Sequence, residues 1–174
     1  SRRAGFQILS ILDATLSSVW GMYSGFELCE ATPLPNREEY LDAEKYELKA
    51  WDWDRAGHIR DDIALINRVR RENPALREFA NLRFHTVHSD GILFYGKMTA
   101  GKDNIVWMAV SLDPHNVVAG HLVLPLDEAG LSQDRPFNVE DLATGRREQW
   151  RGSDYYLRLE PSKPYRIWRV AAQS

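Results

Sequence analysis

The sequence has 174 residues, of which 44% are hydrophobic and 27% are charged, and its formal net charge is −3. These proportions are typical of a globular protein with a sizeable core, and they exclude an intrinsically disordered chain. The small negative charge gives no support for a nucleic-acid partner. No apolar run reaches the ~20 residues of a membrane-spanning helix, so we expect no membrane partner. The lone cysteine, Cys29, excludes an internal disulfide and favours a cytoplasmic location.

The first half of the chain is predicted to contain two helices around a short buried strand. Apolar side chains at near-helical spacing predict the first helix over residues 4–16. Residues 18–30 begin as an apolar, aromatic strand and end in a Ser-Gly turn that carries two carboxylates. A second helix is predicted over residues 58–72, where acidic residues come early and arginines come late. The sequence begins without Met, and we expect it to be part of a longer polypeptide.

After Pro74 the hydrophobic period changes from helical spacing to strict alternation, which predicts strands. The eight predicted strands cover residues 82–88, 92–98, 104–112, 117–124, 136–141, 147–151, 154–159 and 164–170. Turn residues separate most of them, so the pattern predicts an antiparallel β-sandwich. Leu157 and Leu159 alternate with Arg158, and Ile167 alternates with Arg166 and Trp168, which is typical of a sheet with one wet face.

Glu27 and Glu30 are the first candidates for a catalytic role. Glycosidases use two carboxylates, one as acid/base and one as nucleophile or base. The structural alternative is favoured, in which these turn carboxylates accept backbone donors or pair with arginine.

Lys45 and Tyr46 are candidates for binding a sugar, because an ammonium can donate to hydroxyls while a phenol ring covers a pyranose face. The alternative, which the residues alone favour, is a solvated Lys45 and a Tyr46 packed under its loop. Trp51 and Trp53 can form a sugar-stacking platform, although packing as anchors is favoured. Asp54 is a candidate N-cap of the following helix.

For the remaining candidate residues, structural roles are favoured over functional ones. His85 and His88 are predicted on opposite sides of one strand, so they do not readily share a metal. Cys29 is expected to be a small buried hydrophobe. The cluster Arg68, Arg70 and Arg71 is expected to be a solvated helix end rather than a subunit contact. The β-region contains aromatic residues for which core packing is favoured over a glucan-binding surface: Trp107, Trp150, Tyr155, Tyr156 and Trp168.

The run Gly-Met-Tyr-Ser-Gly-Phe-Glu-Leu at residues 21–28 resembles the eighth strand and loop of the α-amylase superfamily, glycoside hydrolase family 13. The longer run through Arg-Glu-Glu at 37–39 and Tyr-Leu-Asp-Ala-Glu-Lys-Tyr-Glu at 40–47 resembles the GlgE-type α-1,4-glucan:maltose-1-phosphate maltosyltransferases. The resemblance implies that residues 1–74 are the C-terminal helix–strand–helix segment of a (β/α)8 catalytic barrel. Residues 75–174 are then the antiparallel β-sandwich domain that follows the barrel.

The same resemblance implies a retaining transferase that moves maltosyl units from α-maltose 1-phosphate to α-1,4-glucan. It implies a homodimer without metal or organic cofactor, in which Lys45 and Tyr46 bind the donor maltosyl unit. The catalytic carboxylates of the family come from earlier strands, so we expect no catalytic residue here and no activity from this chain alone. Two alternatives stay open: part of a hydrolytic α-amylase-like glycosidase, and a non-catalytic glucan-binding or dimerisation module.

Overall fold

The computed structural model describes residues 2–32 and 50–172, which form two antiparallel sheets and a layer of two helices. The helices are α1 (Arg2–Leu16), α2 (Arg60–Glu72) and the short α3 (Leu126–Ala129), and 3-10 turns cover Phe26–Leu28 and Pro74–Arg77. The strands are β1 (Leu82–Phe84), β2 (Val87–His88), β3 (Ile92–Met98), β4 (Ile105–Ser111), β5 (Val118–Val123), β6 (Phe137–Asp141), β7 (Arg147–Trp150), β8 (Asp154–Leu159) and β9 (Tyr165–Ala172).

The larger sheet has six strands in the order β1-β3-β4-β9-β6-β7, and the smaller has three in the order β2-β5-β8. All of the described strand pairs are antiparallel, as the sequence predicts. The two sheets pack face to face around an apolar core. The prediction of an antiparallel, β-rich C-terminal region is therefore confirmed.

The six-stranded sheet is covered on both faces. On its central strand β4, Ile105, Trp107 and Ala109 pack toward the smaller sheet. Val106, Met108 and Val110 pack toward α1 and α2. The prediction of one wet face holds for β8, where Leu157 and Leu159 alternate with exposed residues. It is wrong for β9, because the helical layer buries the second face of that strand.

Both long helices lie close to their predicted positions, and the second ends at Asn73-Pro74 as expected. The strand predicted over residues 82–88 is instead two strands in different sheets, and the chain crosses between them at His85 and Thr86. The strand predicted before the Ser24-Gly25 turn is not formed within the described part of the chain. Val19 in this stretch is 79% exposed. A parallel strand needs neighbours for its hydrogen bonds, and the described residues supply none there.

No helix in the ranges 2–32 and 50–172 combines the length and the apolar character needed to cross a membrane.

Candidate functional site

Two loops, residues 23–32 and residues 50–59, are hydrogen-bonded to each other next to the start of α2. The Ile59 amide donates to the Glu27 carbonyl oxygen at 2.8 Å. The Cys29 thiol donates to the Gly57 carbonyl oxygen at 3.4 Å. These contacts join residues 23–32 to residues 50–59, which flank residues 33–49 in the sequence.

Trp51 anchors this pair of loops. A Cβ added at Gly25 would lie 2.6 Å from Cη2 of Trp51, and Gly25 has a φ of 101°. A side chain at Gly25 is therefore opposed both by the indole ring and by the left-handed backbone. The interpretation of Trp51 as an anchor is supported, whereas Trp53 is 45% exposed.

The two carboxylates of the first loop have the structural roles that the sequence analysis favours. Glu27 Oε2 accepts from the Gly25 amide at 3.1 Å. Glu30 accepts from the Thr32 hydroxyl at 2.9 Å and forms an ion pair with Arg55 at 2.9 Å. The Thr32 hydroxyl, followed by Arg55, lowers the pKa of Glu30. Both carboxylates are thus occupied in shaping the loop.

A groove of about 340 Å³ opens beside these loops, and its exposed lining includes Met22, Tyr23 and Trp53. Arg60 forms its polar wall, at 3.2 Å from Nε2 of His58 and 3.8 Å from Asp54. The Arg60 Nε atom is buried and has no hydrogen-bond partner in the described part of the chain. Aromatic rings beside a guanidinium are suited to binding a sugar through its apolar face and its hydroxyls.

The prediction that Asp54 caps α2 is wrong. The N-cap position is held by Ile59, with no side-chain cap. Because Asp54 lies earlier in the loop, its carboxylate reaches the side chain of Arg60 rather than the first backbone amides of the helix.

Asp62 fixes the helices to the larger sheet. It accepts from Arg3 at 2.7 Å, from Gln7 at 2.8 Å and from the Tyr165 hydroxyl at 3.0 Å. Burial, and then the nearby Asp62 carboxylate, raises the pKa of Tyr165 above its ordinary value. One side chain of α2 therefore links α1 to β9, and it sets the position of the loops that precede α2.

Arg70 holds the other end of α1. Its guanidinium donates to the carbonyl oxygens of Ala14, Ser17, Ser18 and Leu76, with the Ser18 contact at 2.6 Å. The carbonyl groups at the end of a helix lack intrahelical donors, and a cation is favourable there. The prediction of a solvated arginine is wrong for Arg70, because its position on α2 directs it toward α1.

Lys45 and Tyr46, the predicted donor-binding residues, lie outside the described residues, so their role stays a prediction. Within the described part of the chain, no three side chains from His, Cys, Asp and Glu are grouped so that they could hold a metal ion. Cys29 is buried as predicted, and burial raises the pKa of its thiol. Core packing is confirmed for Trp107, Trp150 and Trp168, whereas Tyr156 is 57% exposed.

Comparison with solved structures defines the class of fold. The α-amylase of Geobacillus thermoleovorans matches 100% of this chain over 34% of its own length, with a TM-score of 0.65 and 16% identity. The maltogenic α-amylase AmyB of Thermotoga neapolitana matches 100% of this chain over 38% of its own length, with a TM-score of 0.64 and 10% identity. At such identities the likeness shows an α-amylase-type fold and nothing more.

Sequence comparison then identifies the family. A family model described as "GLGE, C-terminal" matches residues 84–170. The α-1,4-glucan:maltose-1-phosphate maltosyltransferase of Cereibacter sphaeroides is 47% identical over 173 residues, which is 99% of this chain and 26% of the relative. The Rhodospirillum rubrum protein of the same name is 49% identical over 169 residues, 97% of this chain and 25% of the relative. The chain belongs to the GlgE maltosyltransferase family, and it spans about a quarter of the length of these curated relatives.

Proposed function

We propose that this chain is the C-terminal part of a retaining maltosyltransferase that moves maltosyl units from α-maltose 1-phosphate to α-1,4-glucan. Residues 1–74 supply the last helices and loop of a (β/α)8 catalytic barrel, and residues 75–174 form the β-sandwich domain that follows it. The longer enzyme works as a cytoplasmic homodimer. The catalytic carboxylates belong to its other strands, so this chain alone is inactive.

The observation that carries the proposal is the contact between residues 23–32 and residues 50–59, the two described loops that flank Lys45 and Tyr46 in the sequence. Glu27 and Cys29 of the first loop bond to Ile59 and Gly57 of the second. The groove with Tyr23 and Trp53 lies against the same loops. Loops that are already fixed to each other lose less conformational freedom when they bind a ligand, which favours residues 23–32 and 50–59 as a binding surface.

In this proposal Lys45 and Tyr46 bind the donor. The lysine ammonium donates to hydroxyls of the maltosyl unit, and the tyrosine ring covers one pyranose face. Both contacts orient the sugar toward carboxylates supplied by the rest of the enzyme. Positioning of this kind lowers the barrier because the reacting groups start close to the reactive geometry.

A chimera tests the proposal. The last quarter of the Cereibacter sphaeroides maltosyltransferase is replaced by this chain, and phosphate release from α-maltose 1-phosphate is measured with a maltohexaose acceptor. We expect activity from the chimera. Lys45→Met and Tyr46→Ala should each lower kcat/KM about 10- to 100-fold, which corresponds to about 1.4–2.8 kcal/mol of transition-state stabilisation.

Matched controls come from the same stretch of sequence. Lys49→Met and Tyr40→Ala remove the same side-chain types at positions to which the family resemblance gives no donor-binding role, and we expect activities within twofold of the chimera (roughly the scatter of neutral substitutions). If Lys45→Met and Tyr46→Ala behave like these controls, the assigned donor site is wrong. An active chimera that yields free maltose but no glucan elongation would instead support the hydrolase alternative.

A further inference from the structure

A cavity of about 620 Å³ lies where α1 and α2 meet the ends of β6, β7 and β9. It shares no lining residue with the groove beside Trp53. Its volume is within the range of about 300–1,000 Å³ that is usual for small-molecule sites. The proposed donor site does not use it.

Gln7 contributes an unsatisfied acceptor to the lining of this cavity. The side chain is 3% exposed, and its Oε1 atom has no hydrogen-bond partner among residues 2–32 and 50–172. Its Nε2 donates to Asp62 at 2.8 Å. An ionised carboxylate only accepts hydrogen bonds, so this contact fixes the orientation of the amide. An unsatisfied acceptor in a residue that lines the cavity favours a ligand that carries hydrogen-bond donors.

An aromatic stack forms another wall. The rings of Trp150 and Tyr155 are 3.8 Å apart between centroids, with an interplanar angle of 20°. Trp150 is 8% exposed, and its indole nitrogen donates to Glu148 at 3.0 Å, which holds the stack in place. Tyr155 is only half-buried and presents part of its ring to the cavity. A pyranose has an apolar C–H face that packs well against such a ring.

The charges around the cavity are nearly balanced, because its lining carries four cationic and three anionic side chains. Arg3 and Asp62 are 2.7 Å apart, and Arg146 and Glu148 are also 2.7 Å apart. The lining therefore offers many hydrogen-bond donors and acceptors, and its electrostatic potential is not dominated by one sign. That pattern suits a neutral polyhydroxyl ligand better than a phosphate or a cation.

We propose that this cavity binds a neutral oligosaccharide through Gln7, Tyr155 and the paired carboxylates. The choice of an α-1,4-glucan segment as the ligand rests on the proposed function, whereas the class of neutral oligosaccharide rests on the cavity alone. Bound there, a glucan chain contacts both the helical layer and the β-sandwich.

The test uses the 174-residue chain with maltotriose and maltoheptaose as probes. Binding is followed by ¹H–¹⁵N NMR, which reports the Gln7 side-chain amide and the Trp150 indole separately. We expect saturable shifts of both signals with maltoheptaose, and no such shifts with inorganic phosphate. The proposal is overturned if neither sugar shifts these signals, or if phosphate shifts them equally.

Two substitutions and a neighbouring control locate the site. Gln7→Met and Tyr155→Leu should each weaken maltoheptaose binding about tenfold, equivalent to about 1.4 kcal/mol. Tyr156→Leu changes the adjacent residue, whose ring lies exposed away from the cavity, and should leave the affinity unchanged. If Tyr155→Leu fails to fold, Thr144→Trp gives a second test, because a large ring at this exposed lining position obstructs the cavity. Unchanged affinity in Thr144→Trp and Gln7→Met overturns the proposal.

The chimera separates this inference from the proposed function. Loss of maltoheptaose binding in Gln7→Met with full maltosyl transfer shows that the cavity is a second sugar site. A chimera without transfer activity, together with saturable binding at Gln7, contradicts the proposed function and leaves the cavity assignment intact.

Discussion

The two faces of the six-stranded sheet are held in different ways. Toward the smaller sheet the contacts are apolar and aromatic: Trp150 stacks on Tyr155 of β8 at 3.8 Å, and Phe137 lies edge-on to Trp150 at 6.4 Å. Toward the helices, buried hydrogen bonds accompany the apolar contacts. Thr15 bonds to the Tyr95 hydroxyl at 2.6 Å, and Asp62 bonds to Tyr165.

This difference suggests that one face mainly stabilises the fold, whereas the other mainly positions the loops. Apolar packing stabilises in proportion to the area buried, and it tolerates small changes in orientation. Buried hydrogen bonds contribute less net free energy, but they disfavour any arrangement that leaves a partner unpaired. We therefore infer that the sandwich face supplies most of the stability, while the helical face fixes the loops of the candidate site in one position.

The largest effect is expected on the sandwich face. Phe137 is 1% exposed, and Phe137→Ala leaves a cavity between the two sheets. We expect a loss of about 3–5 kcal/mol of unfolding free energy, measured by urea denaturation. Phe137→Leu keeps most of the volume and should cost less than about 1.5 kcal/mol. If Phe137→Ala lowers the unfolding free energy by less than about 1 kcal/mol, roughly the effect of a surface substitution, the sandwich face does not supply most of the stability.

Arg70 donates to four carbonyl oxygens between the helices and the loops that follow them. Arg70→Ala leaves several carbonyl groups at the end of α1 without a donor, and we expect a loss of about 2–3 kcal/mol. Hydrogen exchange should accelerate in the last turn of α1 and in residues 17–20 before it does so in the sandwich. The neighbouring Arg71 is exposed, and Arg71→Ala should change stability by less than about 0.5 kcal/mol. Equal losses of unfolding free energy in Arg70→Ala and Arg71→Ala would contradict the stabilising role of the Arg70 hydrogen bonds.

Asp62 is expected to have a smaller effect. Asp62→Asn keeps the size of the side chain but replaces one accepting oxygen by a donor, so at least one of its three partners loses its acceptor. We expect a loss of about 1.5–2 kcal/mol, in the lower part of the range of about 1.5–3 kcal/mol for a hydrogen bond to a charged group. The control Asp61→Asn changes an exposed neighbour on the same helix and should be nearly neutral. A double-mutant cycle with Tyr165→Phe measures the coupling directly, and additive effects would contradict a direct bond.

The sandwich could be predicted from the sequence because each strand carries its own signal. Strands 92–98 and 154–159 alternate or run apolar between turn residues, and the structure reproduces both of them. The break at His85 and Thr86 could not be predicted, because the pattern stays strand-like while the chain moves between sheets. Which sheet a strand joins depends on partners distant in the sequence.

The polar contacts of the helical face were harder to predict, although a signal was present. Asp62 and Arg70 lie at helical spacing from Ile59, Ile63 and Ile66, so both project toward the buried side of α2. A charged residue on an apolar stripe needs a partner, but the sequence does not say which. Here the partners are β9 and the end of α1, each of which comes from a distant part of the chain.

The smallest predicted effect concerns pH and the crossing between the sheets. Burial lowers the pKa of His85 despite the opposing influence of Glu128, and its ring lies 5.3 Å from that of Phe94. The folded state therefore disfavours the imidazolium, while the unfolded chain takes up a proton near the ordinary value of about 6.5. Between these two pKa values the unfolded state binds more protons, so stability falls as the pH drops through 6.5 (approximately the unfolded value) toward the lower folded value.

His85→Gln removes this proton uptake, and its unfolding free energy should decline less between about pH 7 and pH 5 than that of the unaltered chain. His88→Gln is the matched control, because His88 is exposed on β2 in the smaller sheet. Urea denaturation at a series of pH values gives the slopes for all three proteins. If the slope of His85→Gln equals that of His88→Gln, the crossing between the sheets does not contribute to the acid sensitivity. If only His85→Gln reduces the dependence of the unfolding free energy on pH, protonation of His85 destabilises the protein at the crossing between β1 and β2.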